Sequence, residues 1–403
     1  MTDWVSSLAT YFDEDIDEQE LPPYVCLGAK PIEAPCTALD SSDQTVVAFD
    51  PVTGVGAYRS GLVQVDESGE VTRRSIGEIR KVFIHPTGPV EPTLRNKLAR
   101  EQVRRLRTGR RPVFSSLKSL SPLLPVRLVT AGERVVEDYW KTRAYLNSVF
   151  SIPGSLFLAD GRLNAQSFPG AQAFDELFRL MAARFVRGVG VAKSGLLVDV
   201  LRRPARAIRK RVGDRPFAIP VLREHLDLAY RSMQVTATPK TLRHGSSSEA
   251  LGGVGAVRFA LSITANHLCI VEFNLYDLVQ FRPLVVSGMR LEYWARQHFH
   301  EDHRAVYSWH LLPFVTDRDW EELLIPTLEE IVWCSCTDTE FGFGPRALAD
   351  VHYQVKLRTP DLEAERRRLI VELGWRGIPP EMVPVEAEDP HKTDPDVTNA
   401  MTA

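Results

Sequence analysis

Apolar residues fall along the chain in three patterns: short continuous runs, strict alternation, and a helical period. The run Ser155–Ala159, within SLFLADGRLN, is continuous and predicts a central strand covered on both faces. It ends in Asp160, followed at once by glycine. Strand ends of this kind carry the sites of α/β proteins, and Asp-Gly by itself is also an ordinary turn. A second apolar strand, TVVAFD at 45–50, ends likewise in Asp50. The stretch after it, PVTGVGAYRSGLVQVDESGEVTRRSIGEIRKVFIHP, alternates as a meander with a turn at Asp66–Gly69. Helical periodicity is predicted over 92–109, 130–148 and 174–188, the last leading into the short strand VGVAKSG with its glycine-rich exit. VRFALSI and LCIVEFNL pair as antiparallel strands, IPTLEEIVWCS is a helix, and GFGPRALADVHYQVKL is a loop followed by a helix. Helix and strand patterns alternate, which favours an α/β sheet.

The organisation follows from where these patterns stop. Residues 1–40 read as a short amphipathic helix and a proline-rich connection through Pro22, Pro23, Pro31 and Pro35. Residues 41–378 form the main domain, with insertions around 85–130 and 200–330, and 379–403 form a flexible acidic tail. HGSSSEALGGVG, 244–255, has the composition of a surface loop, and no internal repeat is present.

Composition narrows the function classes. The 403 residues are 44% apolar and 25% charged, an ordinary soluble composition. The net charge is -3 and the isoelectric point about 6.4, so any nucleic-acid contact must come from local basic clusters. Two such clusters exist, Arg100 to Arg111 and Arg202 to Arg211; solvated helix faces balancing acidic surface elsewhere are the alternative reading of both. Five cysteines argue against a disulfide framework and for a reducing compartment. Cys334 and Cys336 lack partners at structural-zinc spacing. The first twenty residues are acidic without the order of a signal peptide, and no apolar run approaches the roughly 18 residues of a membrane span. The expectation is a cytoplasmic protein with no membrane contact.

Several segments carry candidate chemistry. VGVAKSG fails as a phosphate loop because Ala192 and Arg187 stand where glycines are required, and Gly188 and Gly190 lack the third glycine of a dinucleotide site. Lys193 remains as a cation at a strand end or, more plainly, as a loop lysine. HFHEDH at 298–303 does not match HExxH spacing and reads as a polar face. His352 shares a helical face with Leu348, as an interface histidine would. Asp50 and Asp160 are more informative together, since a hard divalent cation needs a cluster of oxygen ligands. Two bridged metal ions require these carboxylates to lie within about 8 Å of each other.

Taken in order, VVAFD at Asp50, FLADGRL at Asp160, GVGVAKSG at Lys193 and PRALADVH at His352 resemble the NurA family of DNA-end-processing nucleases. The resemblance covers most of residues 45–357. It implies an α/β fold, an RNase H-like mixed sheet flanked by helices with helical insertions. It also implies a Mn2+- or Mg2+-dependent deoxyribonuclease, exo- or endonucleolytic on DNA ends or single strands. The partners implied are DNA, a HerA-type hexameric ATPase and a second copy in a homodimer, in DNA repair or anti-phage defence. In that reading Asp50 and Asp160 are metal ligands, His352 orients water or neutralises the phosphate, and Glu137 or Asp138 supplies a further acid. Lys193, Arg104, Arg105, Arg206 and Arg209 would touch DNA. Three departures stand out. The family's first aspartate is usually followed by Gly-Ser, whereas Asp50 precedes Pro51-Val52. Its late Tyr-Pro is Gly344-Pro345 here, after Phe343. TRAYLNS, nearest to Asp160 on the preceding helix, carries no acid. The alternative is a catalytically degenerate subunit that binds DNA or scaffolds the ATPase. A third reading, an α/β protein whose Asp-Gly and Asp-Pro are only turns, predicts no convergence of Asp50, Asp160 and His352.

Overall fold

The computed structural model describes residues 21–50, 53–84, 126–161, 163, 170–193, 195–222, 224, 225, 228, 257–264, 267–288, 315–335 and 344–380. The helix expected over 92–109, residues 1–20, most of 379–403, the loop 244–255 and the HFHEDH segment lie outside the described residues. The strands are β1 (Val25–Cys26), β2 (Cys36–Asp50), β3 (Thr53–Val65), β4 (Val71–Ile76), β5 (Arg80–Ile84), β6 (Leu156–Asp160), β7 (Arg187–Ala192), β8 (Phe217–Pro220), β9 (Val257–Thr264) and β10 (His267–Phe273). The helices are α1 (Val126–Leu146), α2 (Gly170–Ala183), α3 (Leu196–Val212), α4 (Arg282–Ser287), α5 (Ile325–Ser335), α6 (Arg346–Val355) and α7 (Thr359–Gly374). A π-helical turn, Trp320–Leu324, leads into α5.

All ten strands join one sheet in the order β1-β8-β9-β10-β7-β6-β2-β3-β4, with β5 pairing the free length of β3. The meander β2–β3–β4 is antiparallel; β6 runs parallel to β2, and β7 parallel to β6. A meander continued by two parallel strands is the core order expected of an RNase H-like sheet, and β10, β9, β8 and β1 extend it in antiparallel steps.

Burial explains which strands are central. Leu156, Phe157 and Leu158 of β6 are essentially inaccessible, and every residue of β7 from Gly188 to Ala192 is buried, so both faces of these strands are covered. The main core lies around them and includes Tyr139 and Leu146 of α1, Leu177 and Met181 of α2, Leu328 and Ile331 of α5, and Leu348 and Val351 of α6. The helix α3 is not expected from the apolar pattern; its arginine cluster reads either as a basic contact or as a solvated helix face, and it lies on a helix. It buries Leu197, Leu201, Ala205 and Ile208 against Phe217, Ala260 and Ile270. Those positions recur every three to four residues, the apolar stripe of an amphipathic helix, and the arginines lie between them. Truncating fully buried Leu201 or Ile208 to alanine would cost about 2–5 kcal/mol.

The element boundaries differ from the sequence reading mainly in β2. This strand begins at Cys36, so its first five residues belong to the sheet and not to the proline-rich connection. Its apolar part is legible in the sequence, but it also runs through the polar stretch Ser41–Thr45, because β3 supplies hydrogen-bond partners along the whole length. The expected turn is present: Gly69, at φ +84°, donates its N–H to the Asp66 carbonyl at 2.9 Å between β3 and β4. Among the described residues no helix is long and apolar enough to cross a membrane.

Candidate metal centre

Strand alternation sorts the polar residues of β2 onto two faces. Asp40 pairs with Gly61 of β3, and a side chain at Gly61 would collide with Val351 and Val355 of α6. Asp40 therefore faces α6. Ser41, the next residue, pairs with Ser60 and faces α1. The parallel register sets Leu39 opposite Ala159 and Asp160 opposite Val191, so Asp40, Asp160 and the exit of β7 lie at one level of the sheet.

On the α6 side, Asp40, Asp160 and His352 each offer a ligand atom, and these atoms all lie within 4.8 Å of one another. His352 Nδ1 is 2.7 Å from Asp40 Oδ2. Asp40 also accepts the Ser41 backbone N–H at 2.6 Å through Oδ1. Its carboxyl is pushed up to about 6, first by burial and then by the charge of Asp160, against the pull of His352. The His352 imidazole is raised in turn by its hydrogen bond to Asp40. Asp40 is 5% exposed and His352 49%, so the cluster opens to solvent through the histidine. Lys193, just beyond β7, places Nζ 3.3 Å from Asp160 Oδ1, and Gly344 lies against its stem.

On the α1 side, Asp138 accepts the hydroxyls of Ser41 at 2.7 Å and Ser60 at 2.6 Å. Burial raises its carboxyl; Arg134 and the two hydroxyls oppose that shift. Arg134 bonds Asp43 at 2.7 Å and donates to Ser41 Oγ at 2.8 Å. Glu137 pairs with Arg80 at 3.3 Å. Neither Glu137 nor Asp138 is among the three residues whose ligand atoms converge.

The structure thus brings together Asp160, His352 and Lys193, and puts Asp40 where the sequence reading placed Asp50. Asp50 lies ten positions farther along β2, about 33 Å at roughly 3.3 Å per residue. Its backbone pairs with Thr53 at the hairpin end of the strand. The requirement of about 8 Å between the two carboxylates is met by Asp40 and not at the position of Asp50. A signal for Asp40 is present in ALDSS: two small residues follow it, closer to the Gly-Ser of the family pattern than Pro51-Val52. Of the basic candidates, Arg206 is exposed on α3. Arg209 is engaged at the C-terminal end of that helix, donating to the carbonyls of Gly213 and Arg215 and to Ser262 Oγ, with its guanidinium over the Phe217 ring. Arg104 and Arg105 lie outside the described residues.

Two carboxylates and one imidazole form an oxygen-rich donor set that suits Mn2+ or Mg2+ and offers no thiolate for a softer metal. The charge of Asp160 raises the buried Asp40 carboxyl even with Lys193 beside Asp160, and a divalent ion would relieve that repulsion. The residues present therefore fit such an ion.

No family model matches the chain, and no curated protein matches it. Among solved structures, the chain is similar to the crystal structure of the NurA nuclease from Sulfolobus solfataricus, with 10% identity and a TM-score of 0.42 over 93% of this chain and 94% of that one.

Proposed function

We propose that the chain is a divalent-metal-dependent nuclease that hydrolyses phosphodiester bonds in DNA. The observation that carries this reading is the convergence of Asp40, Asp160 and His352 at the level where β2, β6 and β7 meet. Asp40 and Asp160 would hold Mn2+ or Mg2+, with His352 at the open side as a third ligand or a contact to the scissile phosphate. A bound divalent ion supplies a water of lowered pKa and neutralises charge that develops on phosphate oxygens. The chain's own groups do the rest. Lys193 lies beside Asp160 and can meet a non-bridging phosphate oxygen. His352, held by Asp40, is oriented by a buried carboxylate as metal-site and catalytic histidines commonly are. Arg206, exposed on α3 about 15 Å along the helix from its first residue, Leu196, at roughly 1.5 Å rise per residue, extends a basic track for the nucleic-acid backbone. The finer assignment to DNA ends or single strands, a HerA-type ATPase partner, a homodimer, and a role in repair or anti-phage defence rests on the resemblance of the sequence motifs.

A second reading is a degenerate subunit that binds DNA without cutting it. It is favoured by Asp138, which is held by Ser41, Ser60 and Arg134 instead of joining the cluster. One experiment separates the two. Purified protein is incubated with labelled linear single- and double-stranded DNA and Mn2+, beside Asp40→Ala, Asp160→Ala and Asp50→Ala. Cleavage abolished by the first two changes and retained by the third establishes the nuclease at this site. Retained DNA binding with no cleavage under any condition selects the degenerate subunit, and cleavage insensitive to Asp160→Ala sinks both assignments of the site.

A further inference from the structure

Asp160 ends its strand, and the backbone beyond it is unusually constrained from the far side of β7. The Gly161 N–H continues the ladder to the Val191 carbonyl at 2.9 Å, with Gly161 at φ +87°. Gly161 and Leu163 then lie directly over Gly190 of β7. A Cβ on Gly190 would stand 2.8 Å from the Gly161 carbonyl oxygen and 3.1 Å from the Leu163 nitrogen, so only glycine leaves room for them. Opposite Gly190 in the antiparallel ladder is Glu272 of β10. Its side chain is fully buried, and its Oε2 accepts the Leu163 backbone N–H at 3.0 Å. Its Oε1 accepts from Arg258 Nε at 2.6 Å, and Arg258 is itself 8% exposed. Leu163 is buried in the main core.

A buried carboxylate with one charged partner and one amide is an expensive arrangement for a protein to keep for stability alone. Apolar residues at these two central-strand positions would serve the core as well. What the pair does is grip the third residue after Asp160 from a rigid element, while Gly190 gives Gly161 and Leu163 their seat.

The geometry points to Glu272 and Arg258 as a positioning pair for the metal site: the Glu272 carboxylate, charge-balanced by Arg258, fixes Leu163, which lies with Gly161 over Gly190, and so aims the Asp160 carboxylate at Asp40 and His352. This rests on the proposed metal site. Neither residue touches the ligand cluster; both act through the backbone just beyond Asp160.

Two substitutions perturb this seating by independent routes. Glu272→Gln removes the charge that balances Arg258, and Gly190→Ala leaves the ion pair intact but pushes against Gly161 and Leu163. Mn2+ affinity is measured by titration calorimetry, and amide exchange is followed in a peptide covering 156–163. The folded state is checked by circular dichroism. Both variants are expected to lose about 10- to 100-fold in Mn2+ affinity, the range for groups that orient a ligand, and to exchange faster in that peptide. In an Asp160→Ala background neither should lower the residual Mn2+ affinity further, because the ligand they aim is gone. Folded variants with wild-type affinity overturn the positioning role, as does an equal loss in the Asp160→Ala background, which would mark a general structural effect. If Glu272→Gln does not fold, Gly190→Ala decides. If the wild-type protein binds no Mn2+, the metal reading fails and takes this inference with it; wild-type binding with unaffected variants overturns the inference alone.

Discussion

Replacing Asp40 by asparagine should make the protein more stable and less able to bind metal. Asp40 is raised from 3.8 to about 6 by burial and by Asp160. At pH 8 the carboxylate is ionised in both the folded and unfolded states. The folded state then carries the full cost of the shift, which is about 3 kcal/mol at roughly 1.36 kcal/mol per unit. Asparagine removes that charge and can still accept from His352 Nδ1, while losing the attraction of a protonated imidazole. The net gain expected in the metal-free protein at pH 8 is therefore about 1–3 kcal/mol. The sign reverses nowhere between about pH 4 and 8, but the gain shrinks as pH falls through 6, because the native carboxyl then takes up its proton. Below about pH 4 both states are protonated and the advantage vanishes. Loss of one of three converging ligands should weaken Mn2+ binding by at least about 100-fold, or roughly 2.7 kcal/mol. Urea denaturation in EDTA at pH 5, 6 and 8 reads the first effect, and calorimetric titration with Mn2+ reads the second. Asp50→Asn, at the hairpin end of β2, is the control and should change neither. An Asp40→Asn protein that is less stable at pH 8, with unchanged Mn2+ affinity, would refute the reasoning. It would mean that the carboxylate is a structural anchor for His352.

Three further outcomes concern other parts of the structure. Asp277 accepts the Gly188 N–H and is pushed up to about 8 by burial, so between about pH 4 and 8 the folded state holds a proton that the unfolded chain has lost. Its contribution to stability must fall as pH rises through that window, by up to about 1.4 kcal/mol per unit; Asp277→Asn should flatten the decline in thermal melts from pH 5 to 9, and an unchanged slope would contradict this. Lys193→Ala should weaken DNA binding across sequences and reduce the salt slope of the association constant by about 1, as expected for one lost phosphate contact; filter binding at several salt concentrations checks it, and an unaltered slope removes Lys193 from the interface. Gly56→Ala would set a Cβ 1.8 Å from Thr130 Oγ1 and 2.7 Å from two of its carbons, at a position where α1 crosses β3. Overpacking of that kind costs about 1–3 kcal/mol in chemical denaturation, and Thr130→Gly in the same chain should recover part of it.

Some of this is legible in the sequence, and the rest is hidden for identifiable reasons. β6 is readable because LFLAD is buried on both faces and needs no partner to declare itself. Asp160, Lys193 and His352 stand out by their places at the ends of patterned elements, and all three meet in the structure. Asp40 is hidden because its strand looks apolar only in its second half. The first third, Cys36–Asp40, carries two polar side chains, Thr37 and Asp40, that are buried nonetheless. Thr37 donates to the Tyr145 hydroxyl, and Asp40 meets His352 from more than three hundred residues away. No local pattern announces a strand whose polar residues are satisfied by such distant partners. Glu272 is hidden for the same reason, a charge inside LCIVEFNL whose partner Arg258 lies on the neighbouring strand. The apolar stripe of α3 escapes notice because the arginines between its positions dominate the composition.

The length of β2 has a mechanical meaning. Its start pairs with β6 beside the candidate site, whereas its far half carries Val46 and Val47 into a separate small cluster with Val55, Ala57 and Leu357, flanked by Leu362, Leu369 and Leu373 of α7. One unbroken backbone, laddered to β3 throughout and bent by irregular pairing near Thr45–Val47, spans both. The α7 body is thus mounted on a strut and not on a tether. The part of α7 that packs near Val46 is held about 20 Å from Asp40, at roughly 3.3 Å for each of the six residues between them. A load applied at α7 would reach the carboxylate as a tilt of the strand instead of dissipating in a loop.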